Sequence, residues 1–166
     1  MVKQVPLSQG KVAVVDDEDY ERVLKYKWHV RKSVYSSGTV CWYAATNIRS
    51  DKFGKRTILL LHRFIAGVGC SIDHADADGL NNTRKNLRPC NQSQNVANGR
   101  KRTNSTSGYK GVSWERRRKH WRAYIVLNNK QKYLGQFATP EEAARAYDAA
   151  ATELFGIYAR LNFSAI

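Results

Sequence analysis

The sequence predicts an α+β protein, with a small N-terminal sheet leading into a strand–loop–strand–helix unit, then a three-stranded antiparallel sheet packed on one helix. Three observations predict it. Short runs of β-branched and aromatic residues, separated by turn residues, fill the first 70 positions. A polar stretch from Ser71 to Asn98 then concentrates Asp, His and Asn. Beyond it, an alternating run from Trp121 to Asn128 precedes a long, alanine-faced helix.

The elements follow in order. Residues 11–15 read as a strand, and Asp16 can cap a helix over 17–26 with acids in its first turn. Trp28 to Arg31, Thr39 to Ile48 and Arg56 to Leu61 read as strands, divided by turns at Ser36-Ser37-Gly38 and Asp51 to Lys55. His62 to Ala66 is a short helix stopped at Gly67. One small sheet is therefore expected within 1–70. Asp73-His74 ends the next strand, Leu87 to Cys90 is its partner, and Asn91 to Asn98 is a helix stopped at Gly99. Gly99 to Ser107 holds no apolar residue and reads as a linker, cationic through Arg100, Lys101 and Arg102, which suit phosphate or minor-groove contacts. Strands follow at Tyr109 to Trp114, Trp121 to Asn128 and Gln131 to Phe137. In the middle one, Trp121, Ala123, Ile125 and Leu127 share one face while Arg122, Tyr124 and Val126 share the other. Thr139, Pro140 and Glu142 form a capping box with proline at the first helical position, and Gly156 ends the helix. The expected division is 1–98, a linker over 99–107, and 108–166.

Charge narrows the function. The 166 residues carry 28 Lys/Arg against 14 Asp/Glu, a net charge of +14, which points to a polyanion. Residues 79–140 hold 14 of the basic residues and one acid, Glu115. No apolar run approaches the ~20 residues of a membrane span, and no apolar segment follows Met1 as a secretory signal would. Cys41, Cys90 and Cys70 are odd in number and lack CxxC spacing, against a zinc site or a disulfide framework. They read as reduced, mostly buried thiols of a cytoplasmic protein.

Within Ser71–Asn98, Asp supplies a hard oxygen, Asn a neutral one, and His a base near neutral pH. A calcium loop is excluded, because His74 and Lys85 occupy the first and last ligand places around Asp76-x-Asp78-Gly79. With Asp73-His74, Asn86-Leu87-Arg88 and Asn95, the stretch resembles the HNH nucleases, also called ββα-metal or His-Me finger nucleases. The resemblance implies that His74 is the general base. It makes Asp73 and Asn95 the holders of one Mg²⁺ or Mn²⁺, and has Asn86 bond backbone across the loop to keep His74 in line. The last letter of the motif is often His, and a variant with Asn in its place is familiar among bacteriophage-type HNH homing endonucleases. His62-Arg63 matches that subgroup too, with Arg63 either on the scissile phosphate or paired with the acidic loop.

The tail resembles the Apetala-type (ethylene-response-factor) DNA-binding domain. The matching runs are Tyr109-Lys110-Gly111-Val112, Trp121, Leu134-Gly135-Gln136-Phe137, residues 141–151 and Ala159-Arg160-Leu161-Asn162-Phe163. The resemblance implies a sheet in the major groove, with Lys110, Ser113, Tyr124, Val126, Gln131 and Tyr133 facing DNA beside Arg122. Several of these positions differ from the plant pattern and the loop before Trp121 is one residue longer, so the recognised sequence does not carry over. Arg116, Arg117, Arg118 and Lys119 would supply phosphate contacts.

The expected function is metal-dependent cleavage of double-stranded DNA, of homing type, in a phage or bacterial host cell. The chain would act as a monomer that nicks, with neither a membrane nor a small-molecule substrate. The rivals are a DNA-binding regulator with an inactive finger and an RNA-directed enzyme. A groove-reading sheet argues against the latter, because the A-form major groove is too narrow to read.

Overall fold

The computed structural model describes residues 1–35, 38–49, 56–67, 71–101 and 105–163. Ser36, Ser37, residues 51–55, Cys70 and Arg102, which carried expectations, lie outside them. The chain divides into two compact units, Met1–Tyr35 with Val40–Cys90, and Asn91–Ile166 with Ser36–Thr39.

The first unit opens with a hairpin of β1 (Val2–Pro6) and β2 (Val12–Asp16), followed by α1 (Asp17–Leu24). A second antiparallel sheet orders β3 (His29–Val34), β4 (Val40–Arg49) and β5 (Arg56–Leu60) side by side, and α2 (Leu61–Ala66) follows directly. So the described residues of 1–70 hold two sheets where one was expected. The strand without a sequence signal is β1. Only its Val5 is buried, and Pro6 ends it, as suits an edge strand. Val5, Ala13, Val15, Val23, Trp28, Ala44, Leu61 and Ile65 form the core, each buried Val, Leu or Ile contributing about 1.5–3 kcal/mol.

Asp16 stands at the N-cap of α1 with extended backbone, but its side chain caps nothing there. Its carboxylate instead accepts the backbone N–H of Arg84 at 2.7 Å. The reason is a stronger claim on that side of α1. Arg84 also reaches Glu18 (2.7 Å) and both oxygens of fully buried Asp19 (2.8 and 2.9 Å). Arg22 joins Asp19 at 2.7 Å and donates to the carbonyl of Ile65, tying α1 to α2. Burial alone would raise the Asp19 carboxyl, but the hydrogen bonds and charges of Arg84 and Arg22 outweigh it and hold the group below the usual carboxylate range.

The unit ends in the hairpin of β6 (Ser71–His74) and β7 (Leu87–Cys90), with Asp73 opposite Arg88 and His74 opposite Leu87. Between them the loop is fastened to β2: Val14 donates to Leu80 at 2.8 Å and Asn82 donates back to Val14 at 2.7 Å. Cys41 and Cys90 are only partly buried, less so than expected.

In the second unit, α3 (Gln92–Asn98) begins with a capping box of Asn91 and Gln94. The antiparallel strands β8 (Val112–Glu115), β9 (His120–Leu127) and β10 (Lys130–Phe137) lie in the order β10-β9-β8, and α4 (Pro140–Phe155) covers one face. The expected cap is present: Thr139 Oγ1 accepts the N–H of Glu142, and Glu142 accepts that of Thr139. Ala143, Ala144, Tyr147 and Ala151 meet Val112, Ala123 and Ile125, the small alanines letting helix and sheet approach closely. No helix among the described residues is long and apolar enough to cross a membrane.

Candidate active site and nucleic-acid interface

His74 is buried at the end of β6. Its Nε2 lies 3.5 Å from Asn82 Oδ1, a long hydrogen bond. Asn82 is itself completely buried, and its Nδ2 donates to Leu80 O at 3.0 Å. That donation fixes which end of the amide faces the imidazole. An oxygen facing Nε2 favours the proton there, with the basic lone pair on Nδ1. Burial pushes the His74 pKa down. The Asn82 bond and the charges of Asp76, Asp73 and Asp78 oppose it without winning. The ring is therefore neutral at pH 7, as a base must be.

Two further rings pack on it. His62 of α2 stands perpendicular to His74 with centroids 4.9 Å apart, and Tyr43 of β4 approaches both. Burial, helped by the charges of His74 and Arg63, drops the His62 pKa to about 3, so no second cation faces His74 from there. Gly79 packs on this cluster, for a Cβ there would come within 2.4 Å of Trp42 O and 2.5 Å of the Tyr43 ring.

Asp73 is buried beside His74. Arg88, its cross-strand neighbour, donates to Asp73 Oδ2 from Nη2 (2.5 Å) and Nε (3.2 Å). Asn86 ties the loop together. Its Oδ1 accepts the N–H of Asp76, its Nδ2 donates to Asp76 Oδ1 and Asn81 O, and its carbonyl accepts from Ala75. Arg63 is exposed on α2 and forms no ion pair with a described residue.

Sequence reasoning passed over Asn82, Tyr43 and the pairing of Arg88 with Asp73. The register Asp73↔Arg88 could have been read from a hairpin counted inward from both ends. Nothing in the letters separates Asn82 from Asn81.

In the second unit, Asn95 is exposed at the middle of α3. The strand register brings most of the expected DNA residues together. Arg122 lies opposite Ser113, Tyr124 opposite Tyr133, and Val126 opposite Gln131, on the face away from buried Ala123 and Ile125. Arg122 is fixed by Glu115 at 2.9 Å and by the Tyr133 ring. Arg116, Arg117, Arg118 and Lys119 are exposed in the β8–β9 turn. A shallow groove of about 520 Å³ runs between Arg117, Arg118, Arg122 and Tyr133. Arg100 and Lys101 are exposed, and Lys101 donates to Gly108 O. Lys110 does not join this face. Its ammonium turns inward to carbonyls at the end of α3, and burial lowers its pKa to about 8.

An uncharacterized HNH endonuclease of Acanthamoeba polyphaga mimivirus is 32% identical over 162 residues, covering 93% of this chain and 76% of the viral protein. The chain belongs to the HNH endonuclease family. This family member also carries an AP2 domain, whose family model matches residues 107–157. APETALA2-like protein 2 of Oryza sativa subsp. indica is 46% identical over 59 residues, 36% of this chain and 14% of the rice protein. An AP2-like ethylene-responsive transcription factor of Arabidopsis thaliana is 51% identical over 57 residues, 33% of this chain and 11% of its own length. No solved structure matches.

HNH endonucleases generally use a divalent metal. The donor types here fit one. Carboxylate and amide side chains are hard-oxygen donors, which suit Mg²⁺ or Mn²⁺ better than zinc, and Asp73 is a buried carboxylate beside His74. Among the described residues the one group of His, Cys, Asp or Glu with ligand spacing is Asp16, Glu18 and Asp19, and the arginines described above occupy its oxygens.

Proposed function

We propose that this HNH endonuclease family member hydrolyses phosphodiester bonds of double-stranded DNA with His74 as general base, as a homing-type enzyme. The observation that carries the reading is the buried His74 with the Asn82 amide oxygen facing its Nε2. Nδ1 accepts a proton from the attacking water, and the attack displaces the 3′-oxygen. By their places in the motif of a ββα-metal finger, Asp73 and Asn95 would hold one Mg²⁺ or Mn²⁺, which would supply charge stabilisation at the phosphate and leaving oxygen. Arg88 keeps the Asp73 carboxylate in one orientation. Asn86 closes the loop that carries Asp76 and so steadies His74. Arg63, exposed and without an ion pair among the described residues, would bind the scissile phosphate.

The assignment of Asn95 rests on its place in the motif. So does the functional division into a nuclease domain, 1–98, a basic linker, 99–107, and a DNA-binding domain, 108–166. The outer face with Ser113, Arg122, Tyr124, Val126, Gln131 and Tyr133 reads bases in the major groove. Arg116, Arg117, Arg118, Lys119 and the linker cations Arg100, Lys101 and Arg102 hold phosphates. One catalytic histidine serves one strand, so a monomer nicks. The test is relaxation of supercoiled plasmid with Mg²⁺ against the same reaction with chelator.

A further inference from the structure

Residues 79–140 hold 14 Lys/Arg and a single acid, Glu115. Glu115 closes β8 two residues beyond Ser113, which lies opposite Arg122, so Ser113, Glu115 and Arg122 share one side of the sheet. Glu115 Oε2 accepts a hydrogen bond from Arg122 Nη1 at 2.9 Å. From β10, the Tyr133 ring meets the same guanidinium, with 5.5 Å between ring centroid and Cζ. Arg122, on the central strand β9, is therefore held from both neighbouring strands. Glu115 is ionised in this role, because the N–H of Arg117 and then the Arg122 bond hold its carboxyl below the usual carboxylate range. A partly exposed pair of this kind adds little stability. Its effect is on where the guanidinium points.

A carboxylate beside an arginine suits phosphate poorly, for it offsets the positive charge and repels phosphate oxygens. It suits a base edge well. Glu115 takes one of the five guanidinium N–H groups, and a two-point contact needs only two of the others. A fork of donors matches guanine, which presents O6 and N7 side by side in the major groove. Adenine puts a donor beside N7, thymine a methyl beside O4, and cytosine offers a donor. A fork fixed beforehand also loses less rotamer freedom on binding.

We propose that Glu115 is a positioning residue for Arg122, and that the pair, with Tyr133, forms a guanine-reading site. The target duplex then carries a guanine where Arg122 meets it. This rests on the reading of the outer sheet face as the part of the chain that meets base edges.

The full-length chain tests it, in chelator so that the DNA stays whole. Wild type selects duplexes from a random pool. Affinities are then measured on the selected duplex, on the same duplex with each guanine in turn replaced by 7-deazaguanine, and on random DNA. Wild type is compared with Arg122→Lys, Glu115→Gln and Glu115→Ala. For wild type, loss of N7 at one guanine should cost about tenfold or more in affinity. For Arg122→Lys, which keeps the charge without the fork, the same change should cost less than about twofold. Glu115→Ala should bind random DNA about twofold or more tightly, since an acid has left a basic face, yet discriminate at that guanine about tenfold less. Glu115→Gln should gain similarly on random DNA and keep more of the discrimination, because its amide oxygen can still accept from Nη1. Loss of a merely structural contact would instead weaken binding to both DNAs. Selection of no sequence by wild type would overturn base reading by this face and the guanine site with it. A selected sequence whose every guanine preference survives in Arg122→Lys would overturn the guanine site alone. Tighter binding of Glu115→Ala to selected and random DNA alike, with the guanine preference intact, would overturn the positioning role of Glu115.

Discussion

The proposed role of His74 as general base sets two requirements: the ring must be neutral, and its lone pair must be on the working nitrogen. Burial meets the first and Asn82 the second. Asn82 touches the reaction only through the imidazole, so its loss should show in turnover rather than in DNA affinity. Replacing it with Ala leaves His74 Nε2, Leu80 O and the loop backbone without their partner, at a cost to stability of about 1–3 kcal/mol. Well below the melting temperature, Asn82→Ala should bind DNA as wild type does and nick about tenfold or more slowly, a smaller loss than the ~10²–10⁴-fold of removing a general base outright. Nicking kinetics and a binding isotherm on the same preparation check this. Unchanged nicking would show that another group sets the tautomer.

Among the elements, the AP2 sheet and its helix depend on one close approach. Gly111 enters β8 with φ of 74°, and a Cβ there would lie 2.0 Å from the Tyr147 ring and 2.7 Å from Tyr124 O. Gly111→Ala combines a left-handed backbone with overpacking, each costing on the order of 1–3 kcal/mol. Thermal unfolding should show a drop of many degrees, and a melting temperature within a degree or two of wild type would contradict the packing described. Elements of this kind were legible in advance because local chemistry decides them. The Thr139-Pro140-Glu142 cap and the alternation over Trp121–Leu127 need no distant partner to be read. The edge strand β1 was not legible, since a single buried valine gives no alternation. The carboxylate of Asp16 was read as a helix cap and is instead bound by Arg84, 68 residues away. The site divides the same way. Asp73, His74 and Asn86 stand out as motif letters, while Asn82, Tyr43 and the inward turn of Lys110 depend on packing across the chain.

The whole molecule sets a charge of +14 against a polyanion, and the cations fall into two kinds. Arg122 is fixed by Glu115 and Tyr133 on the sheet face, whereas Arg116, Arg117, Arg118 and Lys119 are exposed in a turn. Long, untethered side chains suit phosphates. Neutralising those four should flatten the slope of log K against log salt by about two to four units, with similar losses on target and random DNA. Tyr124 or Gln131 substitutions should instead lower the target-to-random ratio at nearly constant slope. Isotherms at several salt concentrations distinguish the two, and a four-residue change that erased sequence preference without moving the slope would make the turn the reader. The central claim, that His74 is the base of a metal-dependent nuclease, is tested most directly on supercoiled plasmid. Wild type and His74→Ala are compared with Mg²⁺ and with chelator, and DNA binding is measured alongside. Wild type should nick with Mg²⁺ and stop with chelator, and His74→Ala should bind equally well but nick ~10²–10⁴-fold more slowly. Nicking by His74→Ala within a few-fold of wild type, or nicking by wild type undiminished in chelator, would contradict the account.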